Sequence, residues 1–135
     1  MKDIEFRSQC PVASALDLFG DKWSLLIIRD LFAKRESTFK DFAQAPEKIS
    51  TARLSDRLRK LEGLGIISKD NHPTNKKVYI YKLLPKGRDL FPVIAEYILW
   101  SYKHLNDHMS ESTRQLAEEL LKNKDHVLKK YALGV

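Results

Sequence analysis

A change of hydrophobic period near residue 66 constrains this chain most. Before it, apolar residues recur at helical spacing; after it comes a short stretch of β-type sequence. Cys10-Pro11 opens the first helical segment, with Val12, Ala15, Leu16 and Phe19 in step and Gly20 at its end. Asp21 is placed to cap a second helix carrying Trp23, Leu26, Ile27, Asp30 and Leu31. Ser37 or Thr38 starts a short third helix with Phe39 and Phe42 inward, and Pro46 closes it. Ser50 then opens a fourth helix, on which Leu54, Leu58, Leu61 and Gly65 form one narrow face. Arg53, Asp56, Arg57, Arg59 and Lys60 lie around the other side, and Gly63 and Gly65 terminate it.

Ile66-Ile67-Ser68-Lys69 and Val78-Tyr79-Ile80-Tyr81-Lys82-Leu83 read as strands, and the polar loop 70–77 between them makes a hairpin. Pro85 opens a long helix expected to reach about Leu105. A last helix is expected near Ser112, where Gln115 fits a capping box. The fold class expected is mainly α with a small β-hairpin: a winged helix-turn-helix with N- and C-terminal dimerisation helices. The 135 residues suit one domain, with a core at 10–105 and a helical extension at 106–135.

Charge is distributed unevenly. Residues 34–88 carry 14 basic and 6 acidic side chains, while the flanks before and after each balance at −1. Such a cationic segment is the footprint of a polyanion partner. A B-DNA major groove, about 12 Å wide, admits one α-helix. The fourth helix has an apolar face to anchor it and a polar face to enter the groove. Its first turn, Ser50-Thr51-Ala52-Arg53, is the end that reaches base edges in this motif. The DNA-binding candidates are Thr38, Lys40, Ser50, Thr51, Ala52, Arg53, Asp56, Arg57, Arg59 and Lys60, with Lys76 and Lys77 on the wing loop. Arg53 and Asp56, three apart, also suit a solvated ion pair. Lys76-Lys77 also suits an inert turn, and His72 reads as solvent-exposed decoration.

The start of the chain has acidic residues where a signal peptide needs apolar ones, and no apolar run approaches the ~20 residues of a membrane span. Cys10, the one cysteine, fits a reducing, cytoplasmic compartment. No catalytic constellation or phosphate loop appears, and neither an enzyme nor a cofactor is expected. His104 and His108 are four apart, but no cysteine accompanies them and Asp107 is off their face, so no metal site is expected. Two other readings stay open. One is a winged-helix module that binds protein; the +8 balance at 34–88 argues against it. The other is a regulator with a small-molecule effector pocket near Tyr97, Trp100 and Tyr102.

The run from Leu18 to Leu31 (Leu-Phe-Gly-Asp-Lys-Trp-Ser-Leu-Leu-Ile-Ile-Arg-Asp-Leu), preceded by Cys10-Pro11, resembles the opening signature of HxlR-type bacterial transcriptional regulators, of the MarR-like superfamily. Thr38-Phe39-Lys40-Asp41-Phe42 resembles their third helix. Ile49-Ser50 with Leu54-Ser55-Asp56-Arg57-Leu58-Arg59-Lys60-Leu61-Glu62 resembles their recognition helix. Tyr81-Lys82-Leu83, Lys86-Gly87 and Trp100 resemble the later strand and helix. Ile80 and Leu84 depart from the pattern, and Leu84 stands where a capping threonine is usual. The resemblance implies a homodimer on double-stranded DNA. The helix after the hairpin is apolar over more surface than one contact needs, so Phe91, Ile94, Ile98 and Trp100, with Leu116 and Leu120 of the last helix, are the expected dimer contacts. Paired recognition helices about 34–36 Å apart would read an inverted repeat. Cys10 matches the position of a redox-sensing cysteine in some members, at a helix start that favours a thiolate.

Overall fold

The computed structural model describes residues 4–134, which fall into two compact units, one ending at Gly87 and one starting at Arg88. In the first, α1 (Pro11–Phe19) begins on its proline, which has no N–H to leave unpaired. Asp21 forms the joint to α2 (Ser24–Lys34): its carboxylate accepts from the N–H groups of Trp23 and Ser24, each at 3.0 Å, and from the Ser24 hydroxyl at 2.6 Å. Ser24, Ile27, Ile28 and Leu31, at i, i+3, i+4 and i+7, are the buried face of α2.

Then follow β1 (Glu36–Ser37), α3 (Phe39–Ala43), α4 (Thr51–Gly63), β2 (Ile67–Asn71) and β3 (Tyr79–Leu83). The expected hairpin is there, and a third strand joins it. β3 is central, pairing antiparallel with β2 (Ile67 opposite Leu83, Asn71 opposite Tyr79) and with β1 (Glu36 opposite Lys82, Ser37 opposite Tyr81). A two-residue strand is too short to show a period, so it left no mark on the sequence. Leu54, Leu58 and Leu61 of α4 are buried with Ile28, Phe42, Ile66, Ile67, Tyr81 and Leu83. Phe42 meets Tyr81 edge to face, ring centres 5.9 Å apart. This arrangement is a winged helix-turn-helix.

Gly65 (φ +73°) turns the chain from α4 into β2, while the Ile66 N–H donates back to Leu61 O at 3.0 Å. Leu84 then donates to Ile66 O at 3.0 Å, and the short α5 (Pro85–Arg88) presses Gly87 onto the same carbonyl. A Cβ on Gly87 would collide with that oxygen and stand 2.9 Å from Leu83 Cδ2.

The single helix expected from Pro85 to Leu105 is two. It stops at Arg88 and restarts as α6 (Phe91–His104). The cause is Pro92: a continuous helix would drive its ring into the Arg88 carbonyl, four residues back, whereas the start of a new helix accepts it. The last helix, α7 (Glu111–Ala132), is capped by Ser110, which accepts from the Thr113 N–H at 3.3 Å, and not by Ser112. Both serines have a partner three residues on, so spacing alone did not separate them. Within this second unit α6 and α7 bury Phe91, Ile94, Ala95, Ala117, Leu120 and Val127. Phe91 stacks on Tyr131 at 4.1 Å, and Glu96 pairs with Lys124. α6 thus belongs with the C-terminal helix. Asn123 leaves helical geometry (φ −151°, ψ 66°) and kinks α7.

Two stability measurements follow. Gly87→Ala should cost about 1–3 kcal/mol, because the carbonyl it meets is backbone and must move the strand junction with it. A denaturant midpoint equal to wild type would contradict this. Burial alone would raise the Asp21 carboxyl, but the hydroxyl, the two N–H donors and the Arg57 guanidinium outweigh it and hold it below the usual carboxylate range. Folding therefore depresses this pKa. The stability it contributes is complete above the ordinary value of about 4 and is lost as pH falls through the lower folded value. Asp21→Ala should cost about 1–2 kcal/mol at pH 7 and progressively less on acidification, followed by thermal melts across pH.

Candidate nucleic-acid interface

The elements that would face a duplex are held by polar contacts at both ends of the helix-turn-helix. Thr38 caps α3: its hydroxyl accepts from the Asp41 N–H at 3.3 Å, and the Asp41 carboxylate accepts from the Thr38 N–H at 2.9 Å. The Thr38 N–H, then the hydroxyl and nearby Lys34 and Lys40, lower the Asp41 pKa against the opposing effect of burial. Thr38 is half-buried by this work, while Lys40 is exposed.

The turn from α3 to α4 is fastened to α2. Arg29 grips the Glu47 carboxylate through two N–H donors at 3.0 and 2.8 Å and lies 2.9 Å from Asp30. The bidentate bond raises Arg29 and lowers Glu47 from their ordinary values. Next to it Lys48 sits at φ 56°, a left-handed conformation costly to a side chain with a Cβ. Ser50 then caps α4, its hydroxyl accepting from the Arg53 N–H at 3.3 Å.

Thr51, Ala52 and Arg53 are exposed on the first turn of α4, and so are Asp56 and Arg59 beyond it. Arg57 and Lys60 correct the sequence reading. Both are half-buried and turned toward α1 and the joint after it. Lys60 Nζ donates to the Asp17 carbonyl at 3.4 Å. The Arg57 guanidinium lies 3.5 Å from the Asp21 carboxylate, its Nε buried and without a hydrogen bond among the described residues. For Arg57 the physical reason is angular: at about 100° per residue it falls only some 70° from the centre of the leucine face, at its margin and not opposite it. Lys60 lies about 130° round and comes back to the Asp17 carbonyl by the length of its side chain. These side chains hold α4 against its own domain.

The wing loop is ordered by its own side chains. His72 N–H donates to Val78 O at 3.0 Å. His72 Nδ1 accepts from the N–H groups of Thr74 and Asn75, each at 3.1 Å, and lies 3.3 Å from the Thr74 hydroxyl. Asn75 Oδ1 accepts from the Lys77 N–H at 3.1 Å. Lys76 and Lys77 are exposed at the tip, and Lys69 packs over the Tyr79 ring 4.2 Å from its centre. His72 is therefore part of the loop's framework. Its neighbours Pro73, Thr74 and Asn75, two of them N–H donors, were the sequence signal that could have shown it.

Cys10 is exposed at the N-cap of α1 and makes no cap hydrogen bond with its side chain. The segment before it folds back on α1, where the Arg7 N–H and Nε reach the Asp17 carboxylate at 3.1 and 2.5 Å. Of the expected dimer contacts, Phe91, Ile94 and Leu120 are buried within the single chain, so they serve its own packing. Ile98 and Leu116 are half-buried, and Trp100 is 60% exposed. Val93, Tyr97 and Trp100, at i, i+4 and i+7, form an exposed apolar stripe on α6. On the N-terminal unit Phe6, Val12 and Leu16 are exposed as well. No group of three or more metal-ligating side chains gathers among the described residues, and no helix there is long and apolar enough to cross a membrane.

Residues 18–109 match the HxlR-like helix-turn-helix family. The chain is 38% identical, over 85 residues, to an uncharacterized HTH-type transcriptional regulator, sll1512, of Synechocystis; the match covers 63% of this chain and 62% of that protein. With a second such regulator, from Mycobacterium tuberculosis, the covered share of the relative is 58%, so the chain spans about three fifths of these curated relatives. Among solved structures, the reduced form of the transcriptional regulator YodB from B. subtilis superposes with a TM-score of 0.59 at 32% identity, covering 72% of this chain and 95% of YodB. The redox regulator HypR in its oxidized form gives 0.62 at 26% identity, covering 70% and 97%. With its fold, its ordered motifs and these relatives in agreement, the chain belongs to the HxlR-like helix-turn-helix family.

Proposed function

We propose that this chain is a transcriptional regulator that binds double-stranded DNA sequence-specifically as a homodimer. The observation that carries the reading is the first turn of α4. Thr51, Ala52 and Arg53 stand free while Leu54 and Leu58, on the adjoining face, are fully buried, so a rigid helix end is presented outward beside a lysine-tipped wing. Arg53 would read a guanine edge with two hydrogen bonds. Lys76 and Lys77, with Lys40 and Arg59, would meet phosphates and supply affinity without sequence information. The exposed stripe Val93, Tyr97 and Trp100 supports self-association, which would set two recognition helices on an inverted repeat.

A second reading concerns the signal, and the exposure of Cys10 supports it. YodB and HypR are named in reduced and oxidized forms. A peroxide would convert the Cys10 thiolate to a sulfenic acid, reducing the peroxide; a second thiol, from the other copy or a small molecule, would then displace water and close a disulfide.

The test is binding to selected and random duplexes over a salt series. Wild type should lose affinity steeply with salt, and a flat response would end the DNA-binding reading. Arg53→Ala should cost about 1–3 kcal/mol on the selected site and narrow its advantage over random DNA. Arg57→Ala, by contrast, should act mainly through stability. Tyr97→Glu with Trp100→Glu should yield monomers in light scattering. Peroxide should release wild type from its site and leave Cys10→Ser bound; equal release of both would remove Cys10 as the sensor.

A further inference from the structure

We propose that His72 is the positioning residue of the wing, and that it does this only as a neutral imidazole with its hydrogen on Nε2. The geometry stands alone; its consequence for DNA rests on the reading above.

The argument starts where β2 runs out. His72 N–H bonds to Val78 O at 3.0 Å and closes the ladder just past the Asn71–Tyr79 pair. Pro73 follows, with no N–H of its own. The next two donors, Thr74 and Asn75, both point at His72 Nδ1 at 3.1 Å, and the Thr74 hydroxyl lies 3.3 Å from the same atom. A ring nitrogen that accepts from two backbone N–H groups must present its lone pair, so the proton of the neutral ring is on Nε2. The rest of the tip hangs on Asn75. Its carbonyl accepts from Val78 N–H at 3.1 Å and its side-chain oxygen from Lys77 N–H at 3.1 Å. The chain of dependence therefore runs from His72 through Asn75 to the backbone that carries Lys76 and Lys77.

Protonation of the ring reverses this. Nδ1 becomes a donor facing two donors, and both bonds go together. The charged side chains of the hairpin are Asp70, engaged at 3.3 Å by the Ser68 hydroxyl, Lys69 and Lys82 on the strands, and the tip lysines Lys76 and Lys77. An imidazolium also adds a positive charge that phosphates attract. DNA affinity against pH thus mixes two opposing effects, and the loop's own amides give the clean readout.

The experiment uses the full chain, labelled with nitrogen-15. The His72 ring should show the Nε2–H tautomer, with Nδ1 bearing the lone pair that the Thr74 and Asn75 amides share. In His72→Ala, exchange of these two amides relative to that of Leu58 in α4 should quicken about tenfold, as the acceptor they share is lost. His72→Asn keeps an acceptor oxygen at the same reach, so it should retain protection. On DNA, His72→Ala should lower the salt slope by up to ~2, the share of two lysine–phosphate contacts, and His72→Asn should restore it. An Nδ1–H tautomer, or unchanged Thr74 and Asn75 exchange in His72→Ala, overturns the proposal. If the amides respond and the salt slope does not, the role in DNA binding is overturned and the organising of the loop stands. If wild type binds no DNA, the function proposed above fails while the ring and amide measurements still decide this one.

Discussion

The structure depends on one packed seam, the face of α4 made by Leu54, Leu58 and Leu61, each almost wholly removed from solvent. Burying a leucine side chain is worth roughly 1.5–3 kcal/mol, and a small domain's net stability is only about 5–15 kcal/mol. Three such residues on a single helix therefore decide whether α4 has a defined orientation at all. Everything presented to solvent by that helix is aimed by what its other face does inside.

Around the seam lies a frame of polar contacts that connects α4, and the turn before it, to the helices that precede them. Arg29 and Glu47 tie down the turn that leads into α4, Asp21 meets Arg57, and the Asp17 carbonyl takes Lys60. Partly exposed pairs of this kind add little energy each. Their value here is directional, since they act on the turn before α4 and at two places along the helix itself. They leave the charge balance of the basic middle as it was: Arg57 is answered by Asp21 from the N-terminal flank, while Glu47 of the middle is answered by Arg29 of that same flank.

Much of the architecture was legible because its determinants are local and periodic. The leucine spacing, the capping residues Thr38 and Ser50 and the β-branched run near Tyr81 each specify an element within a few residues of themselves. What escaped notice depended on partners remote in sequence or on competing local signals. Glu36–Ser37 becomes a strand only because β3 arrives more than forty residues later. Pro92 lies inside a continuous apolar helical pattern, and a proline is compatible with a helix only near its start. Polarity marks Arg57 and Lys60 as outward-facing, but long side chains reach sideways, Arg57 from the margin of the apolar face to Asp21 and Lys60 from further round to the Asp17 carbonyl. His72 stands alone among side chains because its partners are backbone amides, which carry no residue-type signature in a sequence.

The central place of β3 has a mechanical consequence. A hairpin of two strands can shift its pairing and still satisfy its ladder, changing how far its loop projects. Here Tyr81 faces Lys69 on one edge and Ser37 on the other, so any slip must break two ladders at once and swing a buried aromatic ring into water. The reach of the wing is thereby fixed like the length of a ruler clamped along both sides, and adjustment is left to the few residues beyond the clamp.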